Sequence, residues 1–391
     1  MTLLLDPVFS SVAFGHLIVD LLNAQRPLLL TFLSVPLGLT NTAIAVISTS
    51  YVLVSALSQP LFGWLADRLG TRWLATIGIL WMGLFFSLAM SFQGMGALPL
   101  LILAGLGSGA FHPSGAKEAT LRGQTHFNGR EITAASYFFF FGQSALFFGP
   151  IIGGPILDHF GTHGLLILAV FTLPIGLYAN WQLRKSNTPT GLHNTETAGE
   201  EMNRLDRTSI IALALIIVLQ AWTQQNMITF LPKYLFDLGQ TATIYGMIAA
   251  LFMGGSALGN VLGGYLADVF GKQRLAMTAL ALASLPLFAI SKVGWSSWLY
   301  LLVPLAGALT GSVHSILVVT AQRSIPGGMA LASGLTFGFM FSAGALGTLL
   351  SGPLADAWGF PPVFQMTAIL TLIAAGLTLF LTRTPRSLIS K

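Results

Sequence analysis

The first apolar stretch of the chain carries polar side chains whose spacing suits proton transfer. His16, Asp20, Asn23 and Pro27 follow one another at intervals of four, three and four residues. This spacing places them on one helix face, because residues three and four apart lie above one another. A carboxyl group one turn from an imidazole can hold or relay a proton. Asp20 and His16 are therefore candidates for proton coupling, although a hydrogen-bonded cluster that only braces the helix would use the same residues.

Further polar residues in apolar stretches are candidates for contact with a substrate. His112 and His314 are 202 residues apart, and each follows a glycine-rich run. Arg26 could either bind an anion or extend toward the membrane surface. Asp20 is the one carboxylate among these candidates, whereas the histidines and Arg26 can carry positive charge. A cavity that can become net positive favours an anionic substrate. The uncharged candidates are Asn23, Gln224 and Gln225, and hydrogen bonding between helices is an equally open role for the two glutamines. Gln143, Gln59, Tyr51 and Tyr137 are weaker candidates, and the run Phe138–Phe141 is expected to pack or to face lipid.

The composition excludes a soluble or disordered chain. Of the 391 residues, 54% are hydrophobic and 8% are charged, whereas a soluble domain has about 25% charged residues. Strand-like alternation is absent, so the long apolar runs indicate helices rather than an outer-membrane barrel. The chain has no cysteine, and it lacks phosphate-binding loops, zinc-ligand spacings and nucleophile elbows. We therefore expect no enzymatic reaction, no metal, no cofactor and no nucleic-acid partner.

Apolar runs long enough to cross a membrane recur along the whole chain. A spanning helix needs about 20 residues, and the longest polar stretch, 184–208, separates two groups of six such runs. We predict an all-α polytopic membrane protein with twelve transmembrane helices in two pseudo-symmetric halves, 1–183 and 209–391, joined by a cytoplasmic linker. The predicted spans are 9–33, 42–66, 72–92, 97–119, 132–156, 163–183, 210–232, 243–267, 274–291, 298–321, 331–355 and 362–382.

The basic residues predict how these spans are oriented. With the N-terminus in the cytoplasm, 15 of the 18 lysines and arginines fall on the inner side. Lys233 and Lys292 fall outside, and Arg26 lies within the first span. Inner loops of membrane proteins carry such an excess of positive charge. We therefore expect both termini and the linker to be cytoplasmic. We also expect the protein to be a monomer that interacts with lipid, protons and a small-molecule substrate.

A short unit, Gly-x-Leu/Ile-x-Asp-x-x-Gly, occurs four times. It begins at Gly63 and Gly264, which are 201 residues apart, and at Gly154 and Gly352, which are 198 apart. The two copies within each half are separated by three spans, so they lie on opposite sides of the membrane. Inverted three-span repeats that are doubled into two halves are an architecture of secondary transporters.

The copy that begins at Gly63 resembles the loop signature of the major facilitator superfamily. Gly63, Asp67, Arg68, Gly70 and Arg72 match that signature, whereas Thr71 stands where a basic residue is usual. The second copy retains Asp268 but has Val269 in place of a basic residue. The resemblance covers the whole chain, and it implies the twelve-helix fold of that family and transport by alternating access.

The same loop could act as a gate. Asp67 can accept hydrogen bonds from the N-terminus of a neighbouring helix, and Arg68 and Arg72 can pair with carboxylates at the inner rim. Such contacts would hold the inner side closed in one state and break in the other. Alternatively, these residues only form the turn between two helices, and their positive charges only set the orientation of the protein in the membrane. Lys117 and Glu118 are expected to form a further ion pair of this gate.

Span five and two shorter stretches resemble drug exporters within the same superfamily. The segment with Gly149, Pro150, Gly153 and Gly154 is similar to the antiporter motif, with Ala145 where that motif has glycine. Close helix packing is an alternative role for these residues. The stretches 15–20 and 111–115 resemble the fosmidomycin-resistance branch. This resemblance implies a bacterial inner-membrane exporter of a phosphonate drug or similar small anion, driven by proton entry.

Three functional hypotheses follow from these features. The favoured hypothesis is a proton-coupled antiporter that exports a small anion by alternating access. The second is a proton symporter that takes up a metabolite on the same fold. The third is a membrane sensor that transports nothing, and the ionisable residues inside the spans argue against it because they are costly there.

Overall fold

The computed structural model of the chain describes residues 3–92, 94–126, 131–184, 207–314, 316–317, 320–321 and 329–381, and these residues form helices without a strand. The helices of the N-terminal part are α1 (Pro7–Asn23), α2 (Gln25–Phe32), α3 (Asn41–Leu69), α4 (Thr71–Ser91), α5 (Ala97–His126), α6 (Glu131–Gly164), α7 (Leu166–Val170) and α8 (Thr172–Leu183). Those of the C-terminal part are α9 (Arg207–Asp237), α10 (Ala242–Phe270), α11 (Lys272–Val293), α12 (Leu299–Gly311), α13 (Met329–Trp358) and α14 (Phe360–Leu377).

Eleven helical stretches in the described residues are long and apolar enough to cross a membrane, and α12 is a shorter apolar helix of 13 residues. The tenth predicted span, 298–321, therefore contains a helix that ends at Gly311, with a turn after it. Most of the predicted linker, 185–206, lies outside the described residues.

The first predicted span, 9–33, is interrupted. α1 ends at Asn23 and α2 begins at Gln25. Pro27 explains the interruption, because it has no N–H to donate to the carbonyl of Asn23 four residues earlier. The interruption lies next to the polar residues of α1, where an irregular backbone in a membrane protein usually lines an internal site.

The two groups of helices meet chiefly through α3 against α13 and α6 against α10. Below, the end of the bundle at which α3 and α10 begin, predicted to be extracellular, is called the outer end. Among the described residues, the hydrogen bonds between the groups lie toward this end. They include Thr49 Oγ1 donating to the carbonyl of Ala345 at 2.7 Å and Tyr245 Oη donating to that of Leu28 at 3.4 Å. The structure is therefore closed at the outer end.

The four copies of the glycine–aspartate unit share one backbone role. The last glycine of each copy has a positive φ, at 89° for Gly70, 62° for Gly161, 92° for Gly271 and 77° for Gly359. Only glycine adopts such angles without strain. Gly70, Gly271 and Gly359 therefore follow the last residues of α3, α10 and α13, whereas Gly161 interrupts α6 near its end. In each copy the aspartate lies on the turn before the glycine.

At the outer end, the aspartates of two copies cap helices of the other group. Asp158 of α6 accepts hydrogen bonds from the backbone N–H groups of Ala242 and Thr243, at 2.8 and 2.7 Å. Asp356 of α13 accepts the equivalent bonds from Asn41 and from Thr42, at 2.7 and 2.8 Å. The N–H groups at a helix start lack partners within the helix, and a negative charge there is stabilising. These two carboxylates therefore hold the outer end closed.

The antiporter-like segment forms a notch for Gln25. The Gln25 side-chain amide donates to the carbonyls of Leu21 at 2.9 Å and Gly149 at 3.0 Å. A Cβ atom at Gly153 would lie 1.8 Å from Gln25 Oε1, and one at Gly154 would lie 2.4 Å from the carbonyl oxygen of Ala242. The glycines thus let α6 pack against α2 on one side and α10 on the other.

The other end of the N-terminal group is held by an ion pair. Asp6 caps α1 through the N–H of Phe9 at 2.8 Å, and Arg122 of α5 donates to both oxygens of Asp6 at 2.9 and 2.8 Å. Burial raises the pKa of Asp6, but the hydrogen bonds from Arg122 and Phe9 outweigh that effect and hold the pKa below its usual value.

We predict that Gly153→Ala destabilises the protein because the new methyl group displaces the Gln25 amide from its two carbonyl acceptors. Overpacking of this kind costs about 1–3 kcal/mol. The expected result is a lower midpoint of thermal unfolding in detergent. Adding Gln25→Ala to Gly153→Ala should cause little further loss, because no side chain remains for the methyl group to displace. Gly376→Ala is the matched control, since its Cβ atom would meet nothing within 4 Å. Equal midpoints for Gly153→Ala and Gly376→Ala would contradict the notch.

We predict that Asp158→Asn and Asp356→Asn open the outer end. Loss of a helix cap costs about 1 kcal/mol, so one variant should raise the open population about fivefold and the double variant about thirtyfold. The chain has no cysteine, so Leu28→Cys gives a single reporter at a buried position between α2 and α10. The measurement is the rate of labelling by a membrane-impermeant maleimide. Asp237→Asn, which removes a carboxylate that pairs with Lys233 within α9, should leave the rate unchanged. Unchanged labelling in the double variant would be evidence against the capping role.

Candidate functional site

Asp20 forms the centre of a cluster of polar side chains within the helix bundle. Its Oδ2 lies 3.2 Å from His16 Nε2, one turn away on α1, and its Oδ1 lies 3.3 Å from His112 Nε2 of α5. The two imidazole rings are 4.9 Å apart and nearly perpendicular. Asp20 and His16 are buried, at 8% and 3% exposure, and His112 is the most accessible member. The cluster therefore joins the predicted proton-coupling pair to a histidine that the sequence predicted for substrate binding.

The second nitrogen of each ring is held by a backbone carbonyl. His16 Nδ1 lies 2.8 Å from the carbonyl oxygen of Phe138 on α6, and His112 Nδ1 lies 2.8 Å from that of Ser108 on its own helix. A carbonyl oxygen can only accept a hydrogen bond. Both Nδ1 atoms therefore carry a proton, and both Nε2 atoms face the carboxylate of Asp20.

Hydrogen bonds link this cluster to Tyr51, and the ring of Tyr51 contacts Arg26. The Asn23 side-chain amide donates to Asp20 Oδ1 at 2.8 Å and to Ser108 Oγ at 3.1 Å. Tyr51 Oη of α3 donates to Asn23 Oδ1. The guanidinium carbon of Arg26 lies 4.9 Å from the centre of the Tyr51 ring. Tyr51, only a weaker candidate from the sequence, thus lies between the carboxylate and the arginine.

Several residues around the cluster were not singled out from the sequence. Phe138 was expected to pack or to face lipid, but its ring stacks on His16 at 4.1 Å and its carbonyl binds the same ring. Gly142 provides space, because a Cβ atom there would lie 2.4 Å from His16 Nε2 and 2.8 Å from Asp20 Oδ2. No spacing within one helix indicates such contacts, since they depend on how α1 and α6 cross.

His16, Asp20 and His112 are also of residue types that can bind a metal ion. In the described part of the chain they are the one group of at least three histidine, aspartate or glutamate residues whose donor atoms lie within 4.8 Å of one another. Each ring nitrogen faces a different carboxylate oxygen. That arrangement suits two separate N–H···O contacts better than one shared ion, so we assign no metal to the cluster.

The substrate-binding candidates in the C-terminal group do not contact the cluster around Asp20 through any hydrogen bond or ion pair among the described residues. Gln224 donates to Thr310 Oγ1 at 3.2 Å and to Ser256 Oγ at 3.4 Å, which joins α9 to α12 and α10. Gln225 donates to Thr229 of its own helix at 3.3 Å. His314 follows the turn after α12, and among the described residues no hydrogen bond, ion pair or ring contact connects it with His112. Gln143 is partly buried on α6 beside Gly142.

The predicted gating residues lie at the ends of α3, α4 and α5. Arg68 stacks on Trp64, and Arg72 donates to Asn180 Oδ1 of α8 at 2.8 Å. Glu118 is buried and accepts a hydrogen bond from Thr71 at 2.8 Å. The side chains of Asp67 and Asp268 lie outside the described residues. Lys117 is the neighbour of Glu118 in the sequence. The gating role of all these residues stays a prediction.

The chain is similar to known transport and resistance proteins over most of its length. The chain is 28% identical to an uncharacterised MFS-type transporter, YfnC, of Bacillus subtilis, and 27% identical to the fosmidomycin resistance protein of Escherichia coli; each match covers 96% of this chain and 92% of the relative. It is also 27% identical to the multidrug resistance protein MdtG of Salmonella typhimurium, over 83% of this chain and 81% of the relative.

The fold is also that of a known transporter structure. The crystal structure of the nucleoside transporter NupG superposes with a TM-score of 0.77 at 13% identity, over 96% of this chain and 100% of that one. The family model described as Major Facilitator Superfamily matches residues 12–212 and 213–391. The chain is thus a membrane transporter rather than an enzyme, and it belongs to the major facilitator superfamily.

Proposed function

We propose that this protein exports a small anion, of phosphonate-like chemistry, across the bacterial cytoplasmic membrane in exchange for protons, with both termini in the cytoplasm. Asp20, His16 and His112 couple transport to the protons, and Arg26 binds the anion. Membership of a transporter family and relatives that are named for fosmidomycin and multidrug resistance support this proposal.

The observation that carries the proposal is the position of Arg26. Its side chain is buried, at 8% exposure, and its Nε has no hydrogen-bond partner among the described residues. Among the ion pairs of the described residues, none involves Arg26. A buried unpaired charge is costly and is retained where it has a function. A phosphonate or carboxylate supplies the two acceptor oxygens that a guanidinium binds best.

The link through Tyr51 and Asn23 explains how protons and anion could affect each other. An anion at Arg26 lies next to the hydroxyl that donates to Asn23, whose amide in turn donates to Asp20. A change in the charge of the cluster around Asp20 alters the orientation that the Tyr51 hydroxyl and the Asn23 amide prefer. The coupling therefore needs no large rearrangement between the two sites, because the hydrogen bonds from Asp20 reach Tyr51 and the ring of Tyr51 contacts Arg26.

Proton symport is the second candidate, and the charge of the site favours it. Protons on the histidines add positive charge, and positive charge attracts an anion. The names of the relatives and the antiporter-like segment favour export. The two functions differ in the direction in which protons accompany the substrate, so one experiment distinguishes them.

We predict that fosmidomycin supplied on one side of proteoliposomes moves protons in the opposite direction, read by a pH-sensitive dye inside the vesicles. Asp20→Asn should reduce this signal at least tenfold, because the cluster loses its anion. Asp237→Asn is the matched control and should retain the signal. Protons that move in the same direction as the drug would establish symport. A full signal in Asp20→Asn would contradict the role of the cluster, and no signal with fosmidomycin or with methylphosphonate would contradict the proposed substrate class.

We predict that Arg26→Gln raises the KM for the anionic probe at least tenfold, since a buried guanidinium–anion contact contributes about 1.5–3 kcal/mol. Arg26→Lys should lie between this variant and the wild type, because it keeps the charge but not the two-point contact. Lys292→Gln removes an exposed positive charge and should leave KM unchanged. An unchanged KM in Arg26→Gln would show that the anion binds elsewhere.

A further inference from the structure

The hydrogen-bond directions around Asp20 determine where its protons can be. Nδ1 of both His16 and His112 donates to a backbone carbonyl, at 2.8 Å in each case. A neutral imidazole has one N–H and one lone pair. In the neutral form, each ring would therefore direct the lone pair of Nε2 at a carboxylate oxygen only 3.2 or 3.3 Å away.

Two facing lone pairs repel each other, so each of these contacts requires a proton between the two atoms. There are two such contacts, and they involve different oxygens of Asp20. The arrangement in this structure thus accommodates two protons. A single proton would leave one ring nitrogen against a carboxylate oxygen with nothing between them.

Asp20 is also the acceptor of a third donor. The Asn23 amide contacts the same oxygen as His112. An ionised carboxylate accepts all three contacts at once, and several donors stabilise its charged form. A protonated carboxyl group would have to donate in one of these contacts and would lose part of that stabilisation.

We infer that the transported protons are held on Nε2 of His16 and of His112, one on each ring, and that Asp20 is the permanent anion between them. This assignment deepens the proposed function, because it names the atoms and the number of protons. Of the two sequence candidates for proton coupling, it assigns a proton to His16 and none to the Asp20 carboxyl. The loaded cluster carries one net positive charge, and the empty cluster carries one negative charge.

The charged and titratable groups around the cluster come from several helices. α1 supplies Asp20 and His16, α5 supplies His112, and α3 supplies Tyr51 through Asn23. α2 contributes Arg26 against the Tyr51 ring. α6 contributes the carbonyl of Phe138 and the space at Gly142. Asp20 is the one acid in this set, so its negative charge stabilises both imidazolium ions.

Release of the protons follows directly from this arrangement. Each N–H bond of Nε2 breaks, its proton passes to water, and its electron pair stays on the ring. The lone pairs then face the carboxylate and push the rings away from Asp20. Because His112 lies on α5 and Asp20 on α1, loss of the His112 proton separates the two helices, whereas its binding draws them together. Two transport states can use this differential contact.

The test reads the histidines directly and needs no substrate. The protein is labelled with ¹⁵N-histidine, placed in lipid nanodiscs at pH 7, and its ring nitrogens are observed by NMR; His16→Gln and His112→Gln assign the signals. Both nitrogens of both rings are expected to be protonated. In Asp20→Asn both rings should lose the Nε2 proton and keep the Nδ1 proton. The signal of His163, an exposed residue at the outer end of α6, should stay the same.

Two results would overturn the inference. One is a neutral ring with its proton on Nε2 at His16 or His112 in the wild type. The other is an infrared band of a protonated carboxyl group at pH 7 that disappears in Asp20→Asn, since this would place the proton on Asp20. Neither result depends on transport. Protonated rings in a protein that moves no phosphonate would leave this inference intact and would reject only the proposed function.

Discussion

A carboxylate in the interior of a membrane protein has to be surrounded by hydrogen-bond donors. Asp20 lies against His16 and Asn23 on its own helix and against His112 on α5. The two histidine rings are in turn oriented by the carbonyls of Phe138 and Ser108. The relative positions of α1, α5 and α6 are therefore constrained by one charge, and a change in the protonation of the side chains around it acts on all three helices.

The closed outer end depends on a second use of carboxylates. Asp158 and Asp356 bind the starts of α10 and α3 through backbone N–H groups rather than through basic side chains. Backbone donors are fixed in direction, so these contacts require one relative position of the two helices. They differ in this respect from ion pairs of long flexible side chains, which tolerate small displacements. The closed state is thus well defined, and its loss requires that water replaces the carboxylates at both helix starts.

The glycine–aspartate unit shows how one sequence pattern gives the same local structure in different surroundings. All four final glycines adopt positive φ values; three of them end helices, and Gly161 interrupts α6 near its end. The partners of the aspartates could not be predicted in the same way. Asp67 lies in a copy that resembles a family signature. Asp158 and Asp356 lie in copies without basic residues, and their contacts depend on which helices meet.

The sequence by itself determined the apolar helices, the two related groups of spans, the family and the presence of Asp20 and His16 on one helix face. These properties depend on composition and on spacing within single segments. Only the tertiary structure decided that His112 rather than His314 contacts Asp20, that Tyr51 lies between Asp20 and Arg26, and that Gln224 joins helices. Such contacts are set by the angles and distances between helices, which many different side chains contribute to and which no single periodic pattern encodes.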